Sequence, residues 1–75
     1  MSEYESKELK QELLWMQYRQ KMLGIIEDKL VEMRKVAEIA KNNKFTKEEL
    51  VEMNSKLNDL AMQIRALNAE SEKDL

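Results

Sequence analysis

The amino-acid sequence predicts an all-α fold: an antiparallel two-helix hairpin with a long first helix, assembling into an oligomeric helical bundle. Three observations lead there. Proline is absent and glycine occurs once, at Gly24, in a chain of 75 residues; Glu, Lys, Leu, Met, Gln and Ala dominate the rest, which is the composition of helix. Turn chemistry is confined to one place, Asn42-Asn43-Lys44-Phe45-Thr46. On both sides of it apolar residues recur at alternating spacings of three and four, the mark of helices packed along a seam.

The first helix should begin near residue 3 and run to about residue 41. Ser2 with Glu5 has the capping-box pattern, in which each side chain satisfies a backbone N–H left free at a helix start. In the turn, residues 42–46, asparagine is second only to glycine in tolerating the left-handed conformation that often ends a helix, so Asn42 or Asn43 is the expected C-terminal cap. Thr46 and Glu49 form a second capping box, and Phe45 and Leu50 occupy the two positions of a hydrophobic staple. The second helix is then expected over about 47–70, followed by a polar tail, residues 71–75, that frays.

Leu50, Met53, Leu57, Leu60, Ile64 and Leu67 make an unbroken seam on the second helix. Counting back from the turn, Ala40, Ala37, Met33, Leu30, Ile26 and Leu23 make the matching seam on the first. A short turn forces the helices antiparallel, pairing Ala40 with Leu50, Met33 with Leu57 and Leu23 with Leu67. The two alanines should let the helices approach closely near the turn. Met33 and Met53 read as core filler, while Met16 and Met22 suit either core or an adaptable binding groove.

The second helix runs out near residue 70, leaving some twenty residues of the first beyond Leu23, an overhang of about 30 Å at 1.5 Å per residue. This segment and its junction with the seam carry Leu9, Leu13, Leu14, Trp15, Met16, Tyr18, Met22 and Ile25. Aromatic residues and methionine are enriched at protein interfaces. A core at this chain length supplies only about 3–5 kcal/mol without staples or oligomerisation, and cysteine is absent. The expectation is therefore a homodimer, with a tetramer as the alternative and another protein as a further partner. In a twofold dimer the overhangs would pair antiparallel through residues 9 to 26, the hairpins completing a bundle at each end. The apolar stripe changes direction around Gly24, which reads either as a kink or close helix crossing, or as an ordinary helix glycine costing about 1 kcal/mol.

Composition excludes several functions. With neither cysteine nor histidine, the chain lacks the usual zinc sets, the Cys–His and Ser–His nucleophile pairs and any imidazole switch near neutral pH. Charged residues make up 37% of the chain at a formal net charge of -2, with acids and bases interspersed, so nucleic acid is not an expected partner. Lys41, Lys44 and Lys47 read as solvated lysines at helix ends. Glu48, Glu49 and Glu52 with Asn54 could be drawn as a metal site, but first-turn acids complement the helix dipole and Glu49 belongs to the capping box; neither metal nor cofactor is expected. The longest apolar run, Leu13 to Met16, cannot span a bilayer, and the N-terminus lacks a secretory apolar segment, so the expected location is soluble and cytoplasmic, with no membrane partner. No catalytic group can be named, and the protein is not read as an enzyme. Small bacterial or phage regulators have this shape.

Asn54 and Asn58 stand four apart on one flank of the second helix, where asparagine is a poor helix former; solvent exposure and a docking role are both open readings. Phe45-Thr46 with Leu50 to Leu60, and NSKLNDL at residues 54–60 in particular, resembles the second helix of the small sporulation-regulating aspartyl-phosphate phosphatases. Those are helical hairpins whose signature runs Ser-Gln-Glu-Leu-Asp. Laid on this sequence, the signature serine falls on Asn54, the leucine on Leu57 and the aspartate on Asn58. The resemblance implies docking on a response regulator. The family's aspartate is the residue implied to drive phosphoaspartate hydrolysis, and Asn58 offers no carboxylate base, so docking carries over more readily than hydrolysis. The first reading is thus a non-catalytic interaction or structural hairpin, and the alternative a regulator-docking protein of the phosphatase type.

Overall fold

The computed structural model describes residues 2–72. It consists of two helices, α1 over Glu3–Asn42 and α2 over Lys47–Ser71, with no strand among the described residues. Bonds between the helices fall as residue numbers rise on one and drop on the other: Arg19 with Asn68 and Ser71, Lys29 with Gln63, Glu32 with Lys56. That order defines an antiparallel hairpin. The molecule is a rod 65 × 17 × 13 Å, its length set by the 40 residues of α1 at about 1.5 Å each. Among the described residues no helix is long and apolar enough to cross a membrane.

The helix ends follow from local chemistry. The Ser2 hydroxyl accepts from the Glu5 N–H at 3.2 Å, capping α1. At the start of α2 both halves of the box form: the Glu49 N–H donates to Thr46 Oγ1 at 3.1 Å, and the Thr46 N–H to Glu49 Oε1 at 3.0 Å. Phe45 is half-buried beside it. The end of α1 departs from expectation. Asn43 is the cap, but in extended conformation (φ -130, ψ 157) rather than left-handed, and among the described residues no non-glycine residue has positive φ. Its side-chain amide donates to the Ile39 carbonyl at 2.9 Å instead, so the free carbonyl is satisfied without the strained backbone.

Burial shows which faces meet. On α1 the covered residues Trp15, Arg19, Met22, Ile26, Lys29, Met33, Val36 and Ala40 are spaced 4, 3, 4, 3, 4, 3, 4, with Ile25 half-covered beside them. On α2 they are Met53, Leu57, Leu60, Ala61, Ile64, Leu67 and Ser71. The predicted seam is thus half right on α1. Ile26, Met33 and Ala40 are in it, but Leu23 (46% exposed) and Leu30 (52%) are not, nor is Ala37; Met22, Lys29 and Val36 take their places. On α2 the predicted residues hold except Leu50, which is left largely outside. Two polar contacts go with this rotation. Lys29 lays its aliphatic stem along the seam while its ammonium donates to Gln63 Oε1 at 2.7 Å, and Arg19 reaches the end of α2. Turning α1 to bring Leu23 and Leu30 inward would break both.

Only Ile26, Val36 and Leu60 are buried apolar side chains among the described residues. The exposed pairs Arg34–Glu38 at 3.7 Å and Lys56–Glu32 at 3.5 Å add little, about 0–1 kcal/mol each.

Two outcomes test these local readings. A Cβ built on Gly24 meets nothing within 4 Å, so within one chain Gly24 makes no close crossing, and Gly24→Ala should gain about 1 kcal/mol of helix propensity and raise the melting temperature by roughly 4–8 °C in thermal circular dichroism. A drop instead would mean that another chain packs against that site. The Glu49 carboxyl titrates below its ordinary range because the Thr46 N–H, and secondarily the Thr46 hydroxyl, bond its charged form. A depressed value means stabilisation present above the ordinary glutamate range and lost as pH falls through the lowered one. The advantage of wild type over Glu49→Gln in melting temperature should therefore be seen at neutral pH and vanish in acid.

Candidate interaction surface

Where α2 ends, α1 takes hold of it. Arg19 Nη1 donates to Ser71 Oγ at 2.5 Å and to the Asn68 carbonyl at 3.2 Å, and Nη2 donates to Asn68 Oδ1 at 2.8 Å. Ser71 in turn donates to the Leu67 carbonyl at 2.8 Å and is fully buried. A helix C-terminus carries free carbonyls and partial negative charge, so a planar five-donor cation is the side chain best suited to close it. Ser71, expected in the frayed tail, is instead the last residue of α2, with Glu72 as its cap; Lys73 to Leu75 lie outside the described residues.

The clasp shortens the overhang. With Ser71 opposite Arg19, the part of α1 beyond α2 is residues 3–18, about 24 Å rather than 30 Å. Of the residues predicted to carry association, Leu9, Leu13, Leu14, Met16 and Tyr18 are exposed. Trp15, Met22 and Ile25 are half-covered, and Met22 belongs to the seam with α2. The predicted interface therefore divides, five residues free of α2 and three drawn partly toward it.

A second array stands beside the first. Leu9, Met16, Leu23 and Leu30 recur every seven residues, and each is between 46% and 57% exposed. Residues seven apart on a helix step only about 20° around its axis, so these four span about 60°. This line runs about a quarter-turn around α1 from the seam, along the overhang and onward down the hairpin. It joins residues given to the overhang with residues given to the seam. Sequence periodicity found both halves but split them between two roles.

The remaining candidates are dispersed. Asn54 and Asn58 are exposed on α2, Asn54 at the rim of a shallow groove near the turn lined also by Ala40, Leu50, Met53 and Leu57. Glu49 serves the capping box. Sequence reasoning missed Arg19, Lys29, Asn68 and Ser71. Arg19 and Lys29 sit at seam spacing with Met22 and Ile26, a signal hidden by counting apolar residues alone. No protein-family model, curated protein or solved structure matches the chain.

Removing the guanidinium should loosen the end of α2. Arg19→Ala should cost about 1 kcal/mol, less than a buried charged bond because the site is partly solvated, and should speed amide exchange over residues 66–71 while leaving the Thr46 end of α2 unchanged. Arg19→Lys should recover little, since an ammonium cannot reproduce the forked contact. Uniform exchange along α2 in all three proteins would refute the clasp.

Proposed function

We propose that this chain is a non-catalytic protein–protein interaction hairpin, a structural or regulatory module that self-associates through the N-terminal overhang of α1. The observation that carries the reading is the overhang itself. Leu9, Leu13, Leu14 and Met16 are each more than half exposed on a helix segment with no second helix beside it. Contiguous apolar surface of this kind is a marker of protein interaction, and in an isolated chain it invites aggregation.

The thin core supports the same conclusion. A hairpin with so few buried apolar side chains gains most from a partner that covers more of them, because burying each large side chain is worth about 1.5–3 kcal/mol. A second copy is the partner always present at matching concentration. Association of one chain with another needs none of the nucleophile, imidazole or thiol chemistry that the sequence lacks.

Absolute mass by light scattering across a wide concentration range tests this reading. Wild type should weigh twice the single chain, or four times it, at micromolar concentration. Leu9→Glu combined with Leu13→Glu should return it to the single-chain mass with helicity retained, since neither side chain is part of the seam with α2. A wild-type mass of one chain at every concentration would overturn self-association.

A further inference from the structure

We propose that the surface for self-association is not the overhang alone but the whole heptad line Leu9–Met16–Leu23–Leu30, and that two copies pair along it antiparallel, the overhang of each lying on the hairpin flank of the other. This rests on the self-association proposed above, keeps the antiparallel direction expected from the sequence and adds that the second copy also covers the hairpin flank at Leu23 and Leu30.

The Arg19–Asn68 bonds mark the flank. On α1, Leu23 is one turn beyond Arg19 and Leu30 two turns further. On α2, Ala61 lies seven residues before Asn68 and therefore beneath it on the same side. A methyl group is too small to cover the two leucines. They stay about half exposed, 46% and 52%, along that flank. An apolar helix ridge can cover them, and the overhang carries one in Leu9, Leu13 and Met16.

Twofold symmetry lets this happen twice. With antiparallel axes, the ridge of each copy meets the exposed leucines of the other, so ten large side chains are covered at once. At roughly 100 Å² of exposed area apiece they supply about 500 Å² of apolar surface per copy, and flanking polar side chains bring the buried area near the ~800 Å² per partner of a stable interface. Charge selects the direction. Glu27 and Arg34 continue the row of Leu13 beside the leucine line. In a parallel, in-register pair Glu27 would face Glu27 of the second copy and Arg34 would face Arg34, like charges at a closing interface. Antiparallel pairing separates both.

The chain has no cysteine, so a single introduced one is a unique labelling site. Spin labels on Lys21→Cys, near the expected twofold axis, should lie within about 30 Å of each other in the dimer, and labels on Lys41→Cys should be more than about 50 Å apart at 1.5 Å per residue. Leu23→Glu and Leu30→Glu, both outside the seam with α2, should each raise the dimer dissociation constant on the order of 100-fold with helicity unchanged, because each substitution enters the interface twice. Short distances at both label positions would mean parallel pairing and overturn this inference while leaving self-association standing. So would unaltered dimerisation of Leu23→Glu and Leu30→Glu alongside dissociation of the Leu9→Glu, Leu13→Glu protein, which would confine the interface to the overhang. A single-chain mass for wild type would remove both readings together.

Discussion

A pair of helices has one shared face, and the rest of this molecule depends on which face of α1 is given to α2. The first helix is apolar on more than one side. Whatever α2 covers, something is left over, and the rotation of α1 decides what. In this hairpin the rotation puts Met22, Ile26, Met33 and Val36 against α2 and leaves Leu23 and Leu30 outside. Two polar contacts accompany that choice, Arg19 on the carboxyl end of α2 and Lys29 on Gln63.

Arg19 is the more consequential of the two. Its guanidinium satisfies the Asn68 carbonyl and the Ser71 hydroxyl at the helix end where free carbonyls accumulate. Its bonds to Asn68 and Ser71 meet the last turn of α2 and so mark where the overhang begins. A single charged side chain on α1 thus couples the length of one helix to the surface offered by the other. The capping box at Thr46 does the corresponding work at the opposite end, so α2 is held at both termini by side chains while its middle rests on the seam.

How much of the exposed apolar surface is legible in the sequence follows from the same point. Leu9, Leu13, Leu14 and Met16 were legible as uncovered because they lie beyond any reach of α2, which is a matter of length. Leu23 and Leu30 were assigned to the hairpin seam because leucine at alternating three and four spacing fits a seam, and nothing in a list of apolar positions says which of two overlapping lines will be used. Ile26, Met33 and Ala40 belong to both lines, so the two readings share half their members and differ by a rotation of the helix. Trp15, Met22 and Ile25 were grouped with the overhang and turn out half-covered for the same reason.

By itself the sequence determined the helical class, the position of the turn and both helix starts, because composition, caps and staple residues act within a few positions of one another. It also determined the antiparallel order, since a short connection permits little else. The left-handed cap expected at Asn42 or Asn43 was replaced by an extended Asn43 bonded to the Ile39 carbonyl, a choice between two local solutions that propensity does not separate. What only the tertiary structure decided was the azimuth of α1 about its own axis and the reach of α2 to Ser71. Both hang on contacts between residues some 34 to 52 positions apart, and a contact at that separation leaves no periodic trace in either segment.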